Sequence, residues 1–355
     1  MATRAVDPEK LDSFMGKMVG DMSACMTGAL VITGARLGLY KALAEGGAAT
    51  SAGLAERTGL SERYLREWLS AQAAAGYVEY DAGSGRFSIC PEAAMALADE
   101  DSPAYVASAF ELIAAGYIDE PKISEAFKTG KGFGWHEHHP CLFRGTERFF
   151  RPGYRANLVA SWLPALDGLV AKLQKGAKVA DIGCGAGAST IIMAAEFPKS
   201  HFTGFDYHGD SIKRAFEAAG EAGVSDNVDF KVAMAKELPL AGYDLVTAFD
   251  CLHDMGDPTG AARRVREALA PDGTFMLVEP FAHDTLAENL NPVGRMFYSA
   301  STLFCTPASL SQEVGTALGA QAGQKRLTEV LNEAGFTRVR RATETPFNLV
   351  IEARP

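Results

Sequence analysis

The stretch Asp181-Ile182-Gly183-Cys184-Gly185-Ala186-Gly187 could hold a ligand against its own backbone. A short apolar run ends in glycines spaced Gly-x-Gly-x-Gly. Such spacing permits a sharp turn and lets a ligand approach N–H groups at a helix start. Asp206 follows roughly twenty residues on, where a carboxylate can accept hydrogen bonds from both hydroxyls of a ribose. No Walker lysine follows the glycines, which argues against a phosphate-cradling NTPase. A glycine run alone is also compatible with a packing turn.

A second candidate is His253, in Phe249-Asp250-Cys251-Leu252-His253-Asp254. An imidazole of ordinary pKa, about 6.5, can take a proton from a hydroxyl. The competing reading is a pocket-wall or helix-capping histidine. Asp254 reads as a turn or cap residue. The third candidate is Gly134-Trp135-His136-Glu137-His138-His139-Pro140, which holds three of the seven histidines of the chain. It lacks the His-Glu-x-x-His spacing of a zinc protease. His136 and His139 could share a helix face, but the glycines and Pro140 oppose a stable helix. The stretch reads as a pocket lining or lid, a solvated loop, or a metal site, and no metal is expected.

Elements must position these residues. From residue 155 onward strands and helices alternate: strands at 178–182, 201–205, 228–232, 243–249 and 273–279, helices at 188–196, 211–219 and 259–269. A helix at 327–333 and strands at 339–342 and 347–352 follow. This alternation predicts a doubly wound α/β sheet with an antiparallel strand at one edge. The glycine turn, Asp206 and His253 then all fall at the carboxyl ends of strands, where ligands bind in such folds.

Residues 11–45 read as helices, with Met15, Met18, Val19, Met22 and Met26 at helical spacing. Core or dimer packing suits these methionines better than a cofactor box. Residues 50–90 read as helix, turn, helix and hairpin, the plan of a winged helix. Thr50-Ser51 and Ser61 cap the helices and Gly76 stops the second. Residues 92–150 connect, helical at 93–97 and 105–118 and irregular around Gly130–Gly134. The expected domains are 1–98, a linker over the cleft at 99–154, and 155–355.

The 355 residues carry a formal net charge of -10. Residues 1–100 hold nine Lys and Arg against thirteen Asp and Glu. On the second helix Arg63 and Arg66 are matched by Glu62 and Glu67. These balances argue against nucleic acid as a partner, which requires several cationic phosphate contacts. The six cysteines occur singly, which indicates neither a zinc ribbon nor a disulfide framework and fits a cytoplasmic, reduced chain. The opening MATRAVDPEK lacks the apolar stretch of a secretory leader. No membrane span is expected, since no run reads as the roughly 18 apolar residues one needs.

Val179-Ala180-Asp181-Ile182-Gly183-Cys184-Gly185-Ala186-Gly187, with Gly204-Phe205-Asp206, resembles the first motifs of class I S-adenosylmethionine (SAM) methyltransferases. NAD dehydrogenases are the alternative. The winged-helix start and Leu252-His253-Asp254 extend the resemblance to small-molecule O-methyltransferases. It implies a Rossmann-like seven-stranded sheet behind a mainly α-helical winged-helix domain. It also implies SAM as cofactor, S-adenosylhomocysteine as product, a small-molecule acceptor and a homodimer.

By this resemblance Gly183, Cys184, Gly185 and Gly187 shape the loop under the methionine part of SAM. Asp181 orients the loop or the SAM amino group, Asp206 and Tyr207 meet the ribose, and Ala233, Met234 and Ala235 lie against adenine. Phe249 and Asp250 complete the cofactor site. The family carries an Asp near residue 234, and this chain does not. His253 matches the family's general base and Glu279 its first supporting glutamate. The second falls at Gln321, a departure. Trp135, His136, His139, Arg295, Met296, Tyr298 and Phe304 are the acceptor-pocket candidates. The apolar ones could equally pack in the core or across a dimer, and Arg295 could meet an acceptor carboxylate or a neighbouring Asp. A winged-helix regulator that senses SAM or a metabolite is the alternative from another class.

Overall fold

The computed structural model describes residues 6–355. Residues 1–5 of the opening MATRAVDPEK, on which part of the expectation about a secretory leader rests, lie outside the described residues. The chain divides into two compact units, Met1–Ala114 with Cys141–Pro152, and Ala115–Pro140 with Gly153–Pro355.

The first unit begins with the helix Pro8–Arg36, started by Pro8 at its first turn and by Asp7, whose carboxylate accepts from the N–H groups of Glu9 and Lys10. Helices Leu39–Gly46, Ser51–Thr58 and Glu62–Ala74 follow. The hairpin of β1 (Glu79–Asp81) and β2 (Arg86–Ser88) completes the winged-helix plan. Thr50 caps its helix through Gly53 N–H, at 3.1 Å. Ser61 stands at the expected cap position, but its hydroxyl makes no capping bond. Val31, Leu39, Tyr40, Leu54, Leu65, Trp68 and Leu69 form the core, with Tyr40 and Trp68 edge-on at 5.1 Å. Buried Gln72 is satisfied in part by the Tyr40 hydroxyl, at 2.6 Å.

The first helix corrects one expectation. By length and composition Pro8–Arg36 is long and apolar enough to cross a membrane. Asp21 is the one charged residue between Met18 and Ala35, and interspersed Gly, Ser and Thr hid the run. Leu11, Phe14, Met15, Val19, Met22 and Met26 are all exposed.

The second unit is a seven-stranded sheet in the order β5-β4-β3-β6-β7-β9-β8. Its strands are β3 (Lys178–Ile182), β4 (His201–Asp206), β5 (Val228–Val232), β6 (Tyr243–Phe249), β7 (Leu269–Pro280), β8 (Arg338–Glu344) and β9 (Asn348–Arg354). β3 to β7 run parallel, and β9 is antiparallel to both β7 and β8. The antiparallel strand is therefore not at the edge, as expected, but second from it. Burial explains the order. Leu349, Val350, Ile351 and Ala353 of β9 are fully enclosed, whereas β8 exposes Arg338, Arg340 and Glu344, the charged character of an edge. Ile182, Val246, Ala248, Phe275, Leu277 and Ile351 form the core beneath helices that contribute Ala262, Val265, Leu327 and Leu331.

Two connecting segments matter for the site. The helix Glu120–Thr129, for which there was no expectation, precedes the glycine-rich stretch 130–134, and the helix expected from Tyr105 starts at Ala109, after turns at Ser102–Tyr105. The span 281–310 holds the helix Pro292–Ala300, the wide turn Ser301–Cys305 and the helix Thr306–Leu310.

Candidate active site

β3 ends in the glycine turn and the helix Ala188–Glu196 begins directly after it. Gly183, Gly185 and Gly187 have φ of +66°, +54° and +80°, which side chains rarely adopt. Their surroundings differ. A Cβ on Gly183 would lie 2.6 Å from Cys251 Sγ, and one on Gly187 2.8 Å from the Phe230 ring. One on Gly185 would meet nothing within 4 Å. The turn is thus sealed at both ends and open in the middle, a cradle that a side chain would fill.

Asp181 braces the start of this turn. Its Oδ2 accepts from Ser189 and Thr190 hydroxyls at 2.7 and 2.6 Å, and its Oδ1 from Thr247 at 2.8 Å. β3–β6 pairing brings Thr247 opposite Asp181. Burial raises the Asp181 carboxyl to about 6 despite these three donors. Asp206 accepts from Gly185 N–H at 2.9 Å and His208 N–H at 2.8 Å, and burial raises its pKa also. Ala233 donates to the Asp206 carbonyl at 3.0 Å, which sets the Ala233–Ala235 segment beside that acid. Met234 is exposed and Cys184 is buried.

Phe249 packs against the rings of Tyr154 at 5.1 Å and Trp162 at 6.3 Å. Asp250 adopts φ of +50° and accepts from the Tyr154 hydroxyl and the Asn348 amide, both at 3.1 Å. Burial, then the nearby Glu279 charge, push its carboxyl up to about 8. Tyr154 and Asn348 were missed in the sequence. They lie 96 and 98 residues from Asp250, beyond any local signal.

These groups fit SAM: an open glycine cradle, a buried ribose-type acid on its rim, and aromatic rings beside the β6 end. When bound, SAM supplies a methyl group activated by a positively charged sulfur.

His253 sits on a short turn, Leu252–Asp254, after β6, and is 3% exposed. Its Nδ1 bonds Glu279 Oε2, and the other Glu279 oxygen accepts from Leu252 N–H at 2.9 Å. Its Nε2 lies 3.1 Å from Asp254 Oδ1. His253, Asp254 and Cys305 bring donor atoms within 4.8 Å of one another. Burial disfavours the imidazolium, but the carboxylates of Asp254 and Glu279 outweigh it and hold the His253 pKa well above the ordinary range. Asp254 thus has electrostatic weight that a turn residue lacks. Gln321 donates to the carbonyls of Phe281 and Ala320, both at 3.2 Å. The Gln321 amide nitrogen thus donates where a carboxylate could only accept.

The stretch 134–140 forms one tight turn, Trp135–Glu137, not a helix. His136 and His139 are exposed, with the His136 ring 6.4 Å from Tyr207 beside Asp206. The buried histidine is His138, to which sequence reasoning gave no separate role. Its Nδ1 meets Asp119 Oδ2 at 2.9 Å, and the same oxygen accepts from His139 N–H at 2.9 Å. Phe304 is buried against His138 at 5.4 Å, and Trp135 lies 6.0 Å from it. Arg295 and Met296 are exposed and Tyr298 is half-buried, so the helix Pro292–Ala300 turns part of its expected pocket face outward.

Residues 173–335 match the family described as "Methyltransferase domain", and residues 25–99 that described as "Rv2258c-like winged HTH domain". The chain is 35% identical over 131 residues to 27-O-demethylrifamycin SV methyltransferase of Amycolatopsis mediterranei, covering 35% of this chain and 48% of that one. It thus spans about half the length of that curated relative. The structure of mitomycin 7-O-methyltransferase superposes with a TM-score of 0.67 at 21% identity, over 98% of this chain and 100% of that one. Human N-acetylserotonin methyltransferase, solved with SAM, gives 0.69 at 18% identity, over 100% and 99%.

Proposed function

We propose that this chain, which belongs to the SAM-dependent methyltransferases with an N-terminal winged-helix domain, moves the methyl group to a hydroxyl of a small, flat acceptor. The observation that carries the reading is His253 oriented by Glu279 at the same sheet end as the open glycine cradle. Glu279 accepts a hydrogen bond from Nδ1–H, so Nε2 is the atom that receives the acceptor's hydroxyl proton. Positioning supplies much of the remaining acceleration. The rings of Phe304 and Trp135 favour an aromatic acceptor, and O-methylation is the activity named for the mitomycin enzyme. Asp206 holds the ribose of the cofactor, the glycine turn its methionine part, and Ala233–Ala235 its adenine.

The test is His253→Ala. SAM affinity by titration calorimetry should be unchanged, and turnover should fall about a hundred- to ten-thousand-fold. Equal turnover in variant and wild type removes the base role. Absence of SAM and S-adenosylhomocysteine binding in the wild type removes the methyltransferase reading.

The partner we infer for the exposed face of Pro8–Arg36 is a second copy of this chain, because six large apolar side chains line it. That none of the six cysteines is in a disulfide among the described residues supports a reducing compartment, the cytosol. Nucleic acid is disfavoured as a partner: Arg63 pairs with Glu67 at 2.6 Å and Arg66 with Glu62 at 2.8 Å on the second helix of the winged unit.

A further inference from the structure

His138 has the surroundings of a ligand contact rather than of a solvated loop residue. Its side chain is fully enclosed. Phe133, Trp135 and Phe304 place their ring centres 4.6, 6.0 and 5.4 Å from the imidazole. One nitrogen, Nδ1, is committed to Asp119, and the other, Nε2, meets no hydrogen-bond partner among the described residues. Buried polar atoms in folded proteins are nearly always satisfied, and an exception calls for a reason.

The arrangement around Asp119 fixes which form of the ring is present. Asp119 Oδ2 accepts from His139 N–H, and Oδ1 lies 3.3 Å from Lys122 Nζ. These donors keep Asp119 ionised, so the hydrogen between Asp119 and His138 sits on Nδ1. Burial lowers the His138 pKa and outweighs the Asp119 charge, which keeps the ring neutral. The remaining nitrogen then carries a lone pair and no proton. It can only accept, and its complement is a hydroxyl or N–H group.

Its place in the fold says whose group that is. Phe304, in contact with His138, immediately precedes Cys305, whose sulfur lies within 4.8 Å of the donor atoms of His253 and Asp254. The loop carrying His138 is pressed onto this same segment, since a Cβ on Gly132 would lie 1.9 Å from the Pro307 carbonyl oxygen. Two carboxylate-held histidines, Glu279–His253 and Asp119–His138, thus belong to one neighbourhood lined by aromatic rings.

We propose that His138 is a second anchor for the acceptor, its Nε2 taking a hydrogen bond from a hydroxyl other than the one that is methylated. The acceptor class is therefore an aromatic molecule with at least two hydroxyl groups. This inference rests on the methyltransferase reading. Asp119 is a positioning residue, which acts by holding the His138 tautomer.

The experiment uses the full chain labelled with nitrogen-15 at histidine and saturated with S-adenosylhomocysteine. The probes are the dihydroxynaphthalene isomers, with the two naphthols as single-hydroxyl controls. The unprotonated Nε2 resonance of His138 is assigned by its loss in His138→Phe. At least one dihydroxy isomer should shift it, with neither naphthol doing so. That isomer should bind about tenfold more weakly to His138→Phe, a loss typical of one removed hydrogen bond, while naphthol affinity should hold. A merely structural histidine predicts no isomer-dependent shift. The anchor is overturned by an unmoved resonance with every isomer, by equal shifts for naphthols and diols, or by an affinity gap that survives His138→Phe. The shift is read on the wild-type chain, so misfolding of the variant does not rescue or sink the idea. Conversion of SAM into S-adenosylhomocysteine is followed in separate samples. Conversion without a shift overturns the anchor alone, whereas a shift without conversion overturns the methyl-transfer reading and leaves the donor subsite standing.

Discussion

His253 is flanked by carboxylates on both ring nitrogens, Glu279 on one and Asp254 at 3.1 Å on the other. The two do opposite things for a base. Glu279 orients the ring, while Asp254 stabilises the protonated form that cannot accept a second proton. Activity should therefore rise with pH through a value above the ordinary imidazole range of about 6.5. Asp254→Asn should move that rising limb of kcat/KM to lower pH, and an unmoved limb would show that Asp254 does not set it. The linkage to stability has the opposite direction. The charged His253 cluster contributes fully below the unfolded-state pKa of about 6.5 and loses its contribution as pH rises through the higher folded value. At this scale the glycines, Asp206 and His253 could be singled out as candidates because each stands in or beside a recognisable local motif. Asp119, Tyr154 and Asn348 stand in none, and only the fold brings them to His138 and Asp250.

Elements were legible in proportion to their hydrophobic signal. β3, β4 and β6 are apolar runs closed by Gly or Asp, and their expected limits agree with the structure to within a residue. The helix Glu120–Thr129 gave no such signal because it buries only Ile123. Strand order lies outside sequence pattern altogether: the run at 348–354 announces a strand but not its neighbours. Gly132 fits tightly against the helix Thr306–Leu310, where a Cβ on it would lie 1.9 Å from the Pro307 carbonyl oxygen. Gly132→Ala must displace backbone rather than a flexible side chain. We expect a stability loss of about 1–3 kcal/mol, typical of overpacking, seen as a lower Tm in thermal denaturation. A Tm equal to wild type would mean that the loop seats elsewhere.

For the whole molecule, the apolar surface of Pro8–Arg36 is the main unassigned feature. Val19 and Met22 sit within its exposed face, each 54% accessible. Replacing both by Lys should convert the dimer inferred here into a monomer in sedimentation velocity, with SAM affinity retained. A wild-type chain that sediments as a monomer at high concentration would refute the pairing. In sequence the pattern changes from helix–turn–helix–hairpin to βα alternation, the basis for expecting separate domains. The compact units divide at Ala114/Ala115 and Pro152/Gly153, inside the helices Ala109–Ile118 and Cys141–Asn157, where no change of pattern marks a cut.

The position of β9 also bears on how the chain is made. Synthesis delivers β7 about sixty residues before β8, and β8 before β9, yet β9 must separate the other two. Until it emerges, β7 presents an unpaired edge with Phe275 and Leu277 beside it, the kind of template that invites pairing with another nascent chain. The sheet is completed from the inside by its last-made strand. Glu279 on β7, paired with Leu349 of β9, is therefore walled in only once β9 has emerged, and the nascent sheet unit depends until then on whatever shields that edge.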